Sequence, residues 1–177
     1  MNTVGWIVLA IIIVALIVAL AMAMRWRNRA SLQQRFGPEY ERAVATRGNE
    51  REAARHLRDV ADRRDQLDIR QLEPTARDRY TRRWEAVQTE FVDQPGHALD
   101  EADRLVTDVM RDRGYPVEDF GKRAELVAAD HPQIVKHYRA AHAARRDHHG
   151  HPGAVDTEEL RQAFVHYRAL FNELVSG

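Results

Sequence analysis

The feature that most constrains this chain is an uncharged run of 21 residues near its start, from Val4 to Met24. A helix over this run rises about 1.5 Å per residue and covers roughly 30 Å, the thickness of a bilayer's hydrocarbon core. Such a helix bonds its own backbone amides and carbonyls, so it needs no partner segment in lipid. We therefore predict a single transmembrane helix over residues 4–24, preceded by a short extracytoplasmic N-terminus, residues 1–3.

The same run can be compared with a cleaved secretory signal. Signal peptides begin with basic residues, carry an apolar stretch of about 7–15 residues and end at a small-x-small site. The leader Met1-Asn2-Thr3 has no lysine or arginine, and the apolar run is longer than this, although Ala21-Met22-Ala23 does match a cleavage site. We favour an uncleaved anchor and keep secretion after cleavage near Ala23 as the alternative.

The flanking residues indicate how the run would lie in a membrane. Trp6 and Trp26 stand 20 positions apart, so their rings would reach the two headgroup layers, where amphipathic aromatic side chains concentrate. Arg25, Arg27 and Arg29 follow the run, whereas no basic side chain precedes it. By the positive-inside rule, this predicts a single-pass protein of the cell membrane with its C-terminal domain in the cytoplasm. These arginines would also attract anionic lipid, although stop-transfer flanks have the same composition.

One face of the run offers a further contact. Ala15, Ala19 and Ala23 recur every four residues, and small residues at this spacing let two transmembrane helices approach closely. Alanine is common in apolar spans, so the pattern indicates a candidate dimer face only.

Composition excludes several classes of function. The chain has 27 basic and 27 acidic residues, and the two signs are interleaved after the apolar run. Nucleic-acid binders normally have a basic face or excess, so we predict no nucleic-acid partner. Cysteine is absent, which excludes disulfides, cysteine zinc sites and thiol nucleophiles.

Beyond the run, proline and glycine divide the chain into helical segments. No stretch of alternating apolar or β-branched residues follows, so we predict an all-α fold, in which the transmembrane helix precedes a soluble helical bundle or irregular helical array. A basic juxtamembrane linker is predicted over residues 25–37 and the helical domain over 38–177. The predicted helices cover about residues 38–46, 50–68, 74–92, 98–113, 117–129 and 132–146, with a last helix after Asp156.

Local signals indicate where several of these helices begin and end. Asn49 and Asp156 are suited to cap the first turns that follow them. Gly114 is suited to end a helix in the left-handed conformation, and Pro132 separates two helices because the residue before proline avoids helical angles.

No catalytic motif is found in the chain. Its serines are Ser31, beside the apolar run, and Ser176, next to the C-terminus. Phosphate-binding glycine motifs and the helical His-Glu-x-x-His and Glu-x-x-His metal motifs are missing. We therefore predict no enzyme and no cofactor, while acid–base chemistry by scattered Asp, Glu and His side chains has no pattern in its favour.

A group of three histidines is the weak metal candidate. His148, His149 and His151 lie in a predicted loop from Asp147 to Ala154, and clustered imidazoles can bind zinc, copper or nickel. A structural site also needs a fixed ligand count and oriented supporting groups. We therefore favour a solvated loop and keep the metal site as the alternative.

Several phrases occur in order along the domain, namely Arg35-Phe36-Gly37-Pro38-Glu39-Tyr40, Leu67-Asp68-Ile69-Arg70, Arg79-Tyr80 with Trp84, Phe91-Val92-Asp93 and Arg113-Gly114-Tyr115-Pro116. In these phrases the chain resembles an uncharacterised family of bacterial proteins, usually labelled hypothetical, membrane or secreted. The resemblance implies a small helical domain behind an N-terminal hydrophobic segment, and it implies no known activity, cofactor or catalytic residue.

Two functions remain as hypotheses. The favoured one is a membrane-anchored interaction or scaffold module, whose partners are the lipid bilayer and either another protein or a second copy of the chain. The alternative is a membrane-tethered sensor of a small ligand or metal. Its site would be the His-rich loop or a cleft lined by Tyr80, Trp84 and Tyr115.

Overall fold

The computed structural model describes residues 3–151 and 156–177, without the side chains of residues 3–11, 21, 25 and 28. In this part of the chain there are helices and no strand, so the predicted all-α fold is confirmed there. The helices are α1 (Thr3–Phe36), α2 (Pro38–Arg47), α3 (Glu50–Asp65), α4 (Pro74–Glu90), α5 (Pro95–Arg113), α6 (Phe120–Asp130), α7 (Val135–Gly150) and α8 (Thr157–Ser176).

Most helix starts follow from proline or from a capping side chain. Proline opens α2, α4 and α5, because its fixed φ suits a first turn in which the missing N–H costs no bond. Asn49 and Asp156 accept hydrogen bonds of 2.8 and 2.7 Å from the N–H groups three residues on, which confirms both predicted caps. Asp119 caps α6 in the same way, so α6 begins later than the predicted residue 117.

The C-terminal part of α1 differs from the prediction. Residues 25–37 were expected to form a linker, but the helix continues without a break to Phe36. Leu32 and Phe36, one turn apart, are buried in the same core as α2, α3 and α6. These two core residues alone are too few to show a periodic face in a basic stretch of sequence. The stretch therefore belongs to the folded domain.

The described side chains in the first part of α1 lie outside that core. All the described large apolar side chains from Ile12 to Met24 are exposed. The side chains of residues 4–11 belong to the predicted transmembrane segment and lie outside the described residues. Among the residues that the structure describes, no helix has both the length and the apolar character required to cross a membrane.

The core is built from two groups of helices. In one, α8 packs against α5 and α7, and α5 packs against α4. In the other, the end of α1 packs with α2, α3 and α6. Arg139 of α7 joins the groups, because its guanidinium binds the buried carboxylate of Glu39 in α2 through Nε at 2.9 Å and a second nitrogen at 2.5 Å.

The segment between α3 and α4 is fixed against the end of α5. The Arg70 N–H donates to the Arg113 carbonyl at 2.9 Å, and Arg113 Nε donates back to the Arg70 carbonyl at 3.2 Å. The Arg113 side chain is buried and also donates to the carbonyl of Leu174 in α8 at 2.7 Å. Gly114 then ends α5 in the predicted left-handed conformation, with φ 99°.

Candidate functional site

The His-rich segment is not the loop that the sequence predicted. Helix α7 continues to Gly150, so His148 and His149 lie in its last turn and only His151 follows it. Gly150 does not break the helix, because the His151 N–H still bonds the Asp147 carbonyl at 2.9 Å. The last turn also packs on α5, where His149 Nε2 lies 2.7 Å from Asp100 Oδ1. The extra helical turn is therefore fixed by tertiary contacts that the local sequence does not contain.

These three histidines do not converge on one point. His148 and His149 are adjacent on a helix and their ring centres are 6.1 Å apart. His148 is packed so closely on α5 that a Cβ at Gly96 would lie 2.3 Å from its Nε2. In the described ranges, no group of three or more His, Asp or Glu side chains is arranged to hold a metal ion. The metal alternative stays a prediction without a formed site in that part of the chain.

The predicted aromatic cleft is a set of core residues instead. Tyr80, Trp84 and Tyr115 are all buried. The Tyr80 hydroxyl donates to Asp112 at 2.7 Å, and the Tyr115 hydroxyl donates to Asp130 at 2.5 Å. None of these three aromatic side chains lines any of three well-formed clefts on the described part of the chain, which lie between α1, α2 and α3, between α7 and α8, and along α3.

A buried polar group joins α5, α7 and α8. Asp103 accepts from the Tyr167 hydroxyl at 2.8 Å, and Arg145 lies 3.4 Å from its other oxygen. Burial alone would raise the pKa of Asp103, but the His142 ring, the Arg145 guanidinium and the Tyr167 hydroxyl outweigh burial and lower it. The carboxylate is thus held ionised and bonded within the core. It lines none of the three clefts, so we assign this group to the packing of the helices.

A histidine pair links α7 to α8. His137 Nδ1 and His166 Nδ1 are 2.8 Å apart, so one ring must donate and the other accept. The pair lies at the edge of a cleft of about 310 Å³ between the two helices, which His166 lines together with Asp147 and Glu159. Burial and the neighbouring charge of His137 lower the pKa of His166 below its ordinary value of 6.5. The fold therefore favours a neutral His166.

This pair predicts a loss of stability in mild acid. Because the folded state lowers the pKa of His166, the unfolded chain binds more protons once the pH falls below about 6.5. The free energy of unfolding should decrease as the pH is lowered from 7.5 to 5.5, and H166Q should make this decrease smaller. Urea unfolding of the full chain at several pH values measures it, with H151Q, at an exposed position, as the control. An H166Q profile that is parallel to the parent profile would contradict this role.

The residues of the predicted membrane interface fall into two sets. The side chains of Trp6 and Arg25 lie outside the described residues. Trp26 is 73% exposed, and Arg27 and Arg29 are also exposed. The candidate dimer face, with Ala15, Ala19 and Ala23, is exposed on the same helix. The described interface residues therefore lie on the surface, where the domain meets the first part of α1.

The largest of the three clefts begins at this interface. It has a volume of about 470 Å³ and lies between α1, α2 and α3. We call it the interface cleft. Its lining consists of Trp26, Arg29, Tyr40, Glu50, Arg51, Ala54, Arg55 and Arg58. Four arginines and one acidic residue line it, so the cleft is strongly positive although the net charge of the whole chain is zero.

An ion pair sets the geometry of the interface cleft. The Arg29 guanidinium contacts Glu50 through two nitrogens, at 3.0 and 2.9 Å, and so joins α1 to the first turn of α3. Arg51, Arg55 and Arg58 follow on α3 at a spacing of four and three residues, which places them on one helix face. The sequence interpretation missed the cleft. Its only signal was this arginine spacing, which is also typical of a solvated face.

Comparison of the chain with models of protein families, with curated proteins and with solved structures finds no match. The resemblance to an uncharacterised bacterial family therefore stays a prediction.

Proposed function

We propose that the chain is a membrane-anchored helical interaction module, in which α1 holds the helical domain at the inner surface of the membrane. The observation that carries the proposal is the continuity of α1. Its described apolar side chains from Ile12 to Met24 are exposed and lie outside the core of the domain, while Leu32 and Phe36 of the same helix are core residues. An apolar surface of this length is costly in water and favourable in lipid.

The sequence adds the rest of the proposed span. The uncharged run begins at Val4, and the first ionisable side chain after it is Arg25. The basic residues after the run favour the orientation with the domain on the cytoplasmic side. The exposed alanine face offers a surface for a second copy of the chain within the membrane, and the domain surface is available to a protein partner.

Anchoring predicts a specific behaviour during membrane extraction. The full chain should stay in the membrane pellet after a carbonate wash at high pH, which releases peripheral proteins. The variant L16K/L20K should move to the supernatant, because each lysine near the centre of a membrane helix costs about 2.5–3.5 kcal/mol. V92K is the matched control, since Val92 is 82% exposed on the domain and the same apolar-to-lysine change there should leave the chain in the pellet.

Protease accessibility tests the orientation of the domain. Protease added to intact cells should leave the domain undigested, and protease added to inverted membrane vesicles should digest it. Release of the parent chain by carbonate would contradict the anchor, whereas digestion of the domain from outside the cell would contradict only the orientation.

A further inference from the structure

We propose that the interface cleft binds the phosphate group of an anionic phospholipid, so that a headgroup of the membrane becomes part of the contact between the domain and the bilayer. This inference rests on the proposed function, because α1 must lie in the membrane for the cleft to meet a headgroup. Three observations carry it: the depth at which the cleft would lie in the membrane, its unpaired guanidinium groups and a tyrosine hydroxyl at the cleft that bonds none of the described residues.

The first observation is the level at which the cleft would lie in the membrane. Trp26 follows Met24 by two residues, which is a rise of about 3 Å along the helix. Arg29 lies about 7.5 Å beyond Met24 by the same measure, and the Arg29–Glu50 ion pair holds the first turn of α3 at that level. The headgroup layer of a bilayer is roughly 5–8 Å thick on each side. Arg51, in the first turn of α3, is therefore placed near headgroup depth.

The second observation is the charge of the cleft. Arg51, Arg55 and Arg58 are exposed, and none of them forms an ion pair with a residue that the structure describes. The carboxylate of Glu50, the acidic member of the lining, is occupied by Arg29. Guanidinium groups bind phosphate through paired N–H donors, so a phosphate would find free donors here.

The third observation is Tyr40. Its side chain lines the cleft and is only 1% exposed, and its hydroxyl, which forms no hydrogen bond with the described residues, is open to the cleft. Burial is the main reason why the pKa of Tyr40 is raised, against the opposing charge of Arg29, so the group stays a neutral O–H donor. A phosphate oxygen in the cleft would accept this hydrogen bond.

The size of the cleft also suits this ligand. A volume of about 470 Å³ lies within the range of small-molecule sites, and Trp26 in its lining places the cleft beside the exposed apolar part of α1, along which acyl chains would lie. Trp26 is the type of side chain that concentrates among headgroups. A soluble phosphate ester has the same phosphate chemistry, but it has no acyl chains that could contact the exposed apolar part of α1.

The test uses the full chain in dodecyl maltoside micelles, titrated calorimetrically with dioctanoyl phosphatidylglycerol. We expect saturable binding, and R51Q/R55Q should weaken it at least roughly tenfold, because each arginine near an anionic headgroup layer contributes to the electrostatic attraction. R82Q/R168Q is the matched control: it removes the same charge at two exposed arginines of α4 and α8 and should leave the affinity unchanged. Y40F, which removes only the hydroxyl, should weaken binding several-fold.

Two comparison ligands distinguish the sources of the phosphate. Dioctanoyl phosphatidylcholine carries a phosphate without net charge and should bind at least roughly tenfold more weakly. Glycerol 3-phosphate carries the phosphate without acyl chains, and binding as tight as that of the lipid would overturn the lipid assignment. Equal weakening by R51Q/R55Q and R82Q/R168Q would overturn the cleft as the site, as would a flat titration. The micelle experiment does not depend on insertion in cells, so its failure and release by carbonate are separate results.

Discussion

Replacement of Trp84 by alanine should lower the free energy of unfolding by about 3–5 kcal/mol, one of the two largest effects that we expect from a single substitution. The Trp84 ring is stacked between Phe164 and Phe171 of α8, with ring centres 5.1 and 4.7 Å away. Its removal leaves a cavity between α4 and α8 and deletes two aromatic contacts. The neighbouring helices are fixed by their own packing, so the cavity can close only in part.

Urea unfolding of the full chain in mild detergent micelles, followed by near-ultraviolet circular dichroism, measures this loss. Trp26 supplies the control, because W26A removes the same side chain from an exposed position and should change the stability by no more than about 0.5 kcal/mol. Similar losses in W84A and W26A would show that the aromatic stack does not form.

G114A should be the second severe substitution, with an expected loss of about 3 kcal/mol. Gly114 has φ 99°, where a side chain is strained, and an added Cβ would lie 2.5 Å from the backbone oxygen of Asp68. That oxygen belongs to the segment that the two Arg70–Arg113 hydrogen bonds fix to α5. The segment can move away only if these bonds weaken, so strain and lost hydrogen bonds add.

A substitution at Gly48 distinguishes the backbone strain from the close contact with Asp68. Gly48 also has a positive φ, 75°, but a Cβ there would meet nothing within 4 Å. G48A should therefore cost only the backbone strain, about 1 kcal/mol, in the same urea experiment. If G114A and G48A had equal effects, the close approach of Asp68 to Gly114 would be disproved.

The parts of the fold that the sequence predicts well depend on neighbouring residues alone. Pro74, Asn49 and Gly114 act within one helical turn, and all three take their predicted positions. In the sequence, Tyr80, Trp84 and Val87 recur at i, i+4 and i+7, a spacing typical of a buried helix face, and all three are buried. Local capping and long periodic faces therefore require no knowledge of the tertiary structure.

The errors concern segments whose structure depends on a distant partner. Residues 25–36 are helical because Leu32 and Phe36 pack on helices from later in the chain. The end of α7 stays helical where it meets Asp100 and Gly96 of α5. The interface cleft combines residues from three helices. The chain has no net charge, so its composition does not indicate that four arginines meet there.

The unbroken course of α1 has a mechanical consequence if its apolar part lies in a bilayer. From Met24 to Phe36 the helix has no joint and extends about 18 Å. A helix whose apolar length exceeds the local bilayer thickness tilts, by about 20° on average for transmembrane helices. A tilt of this size would move the core end of α1 sideways by about 6 Å and rotate the whole domain with it. Bilayer thickness would then set the direction in which the domain faces.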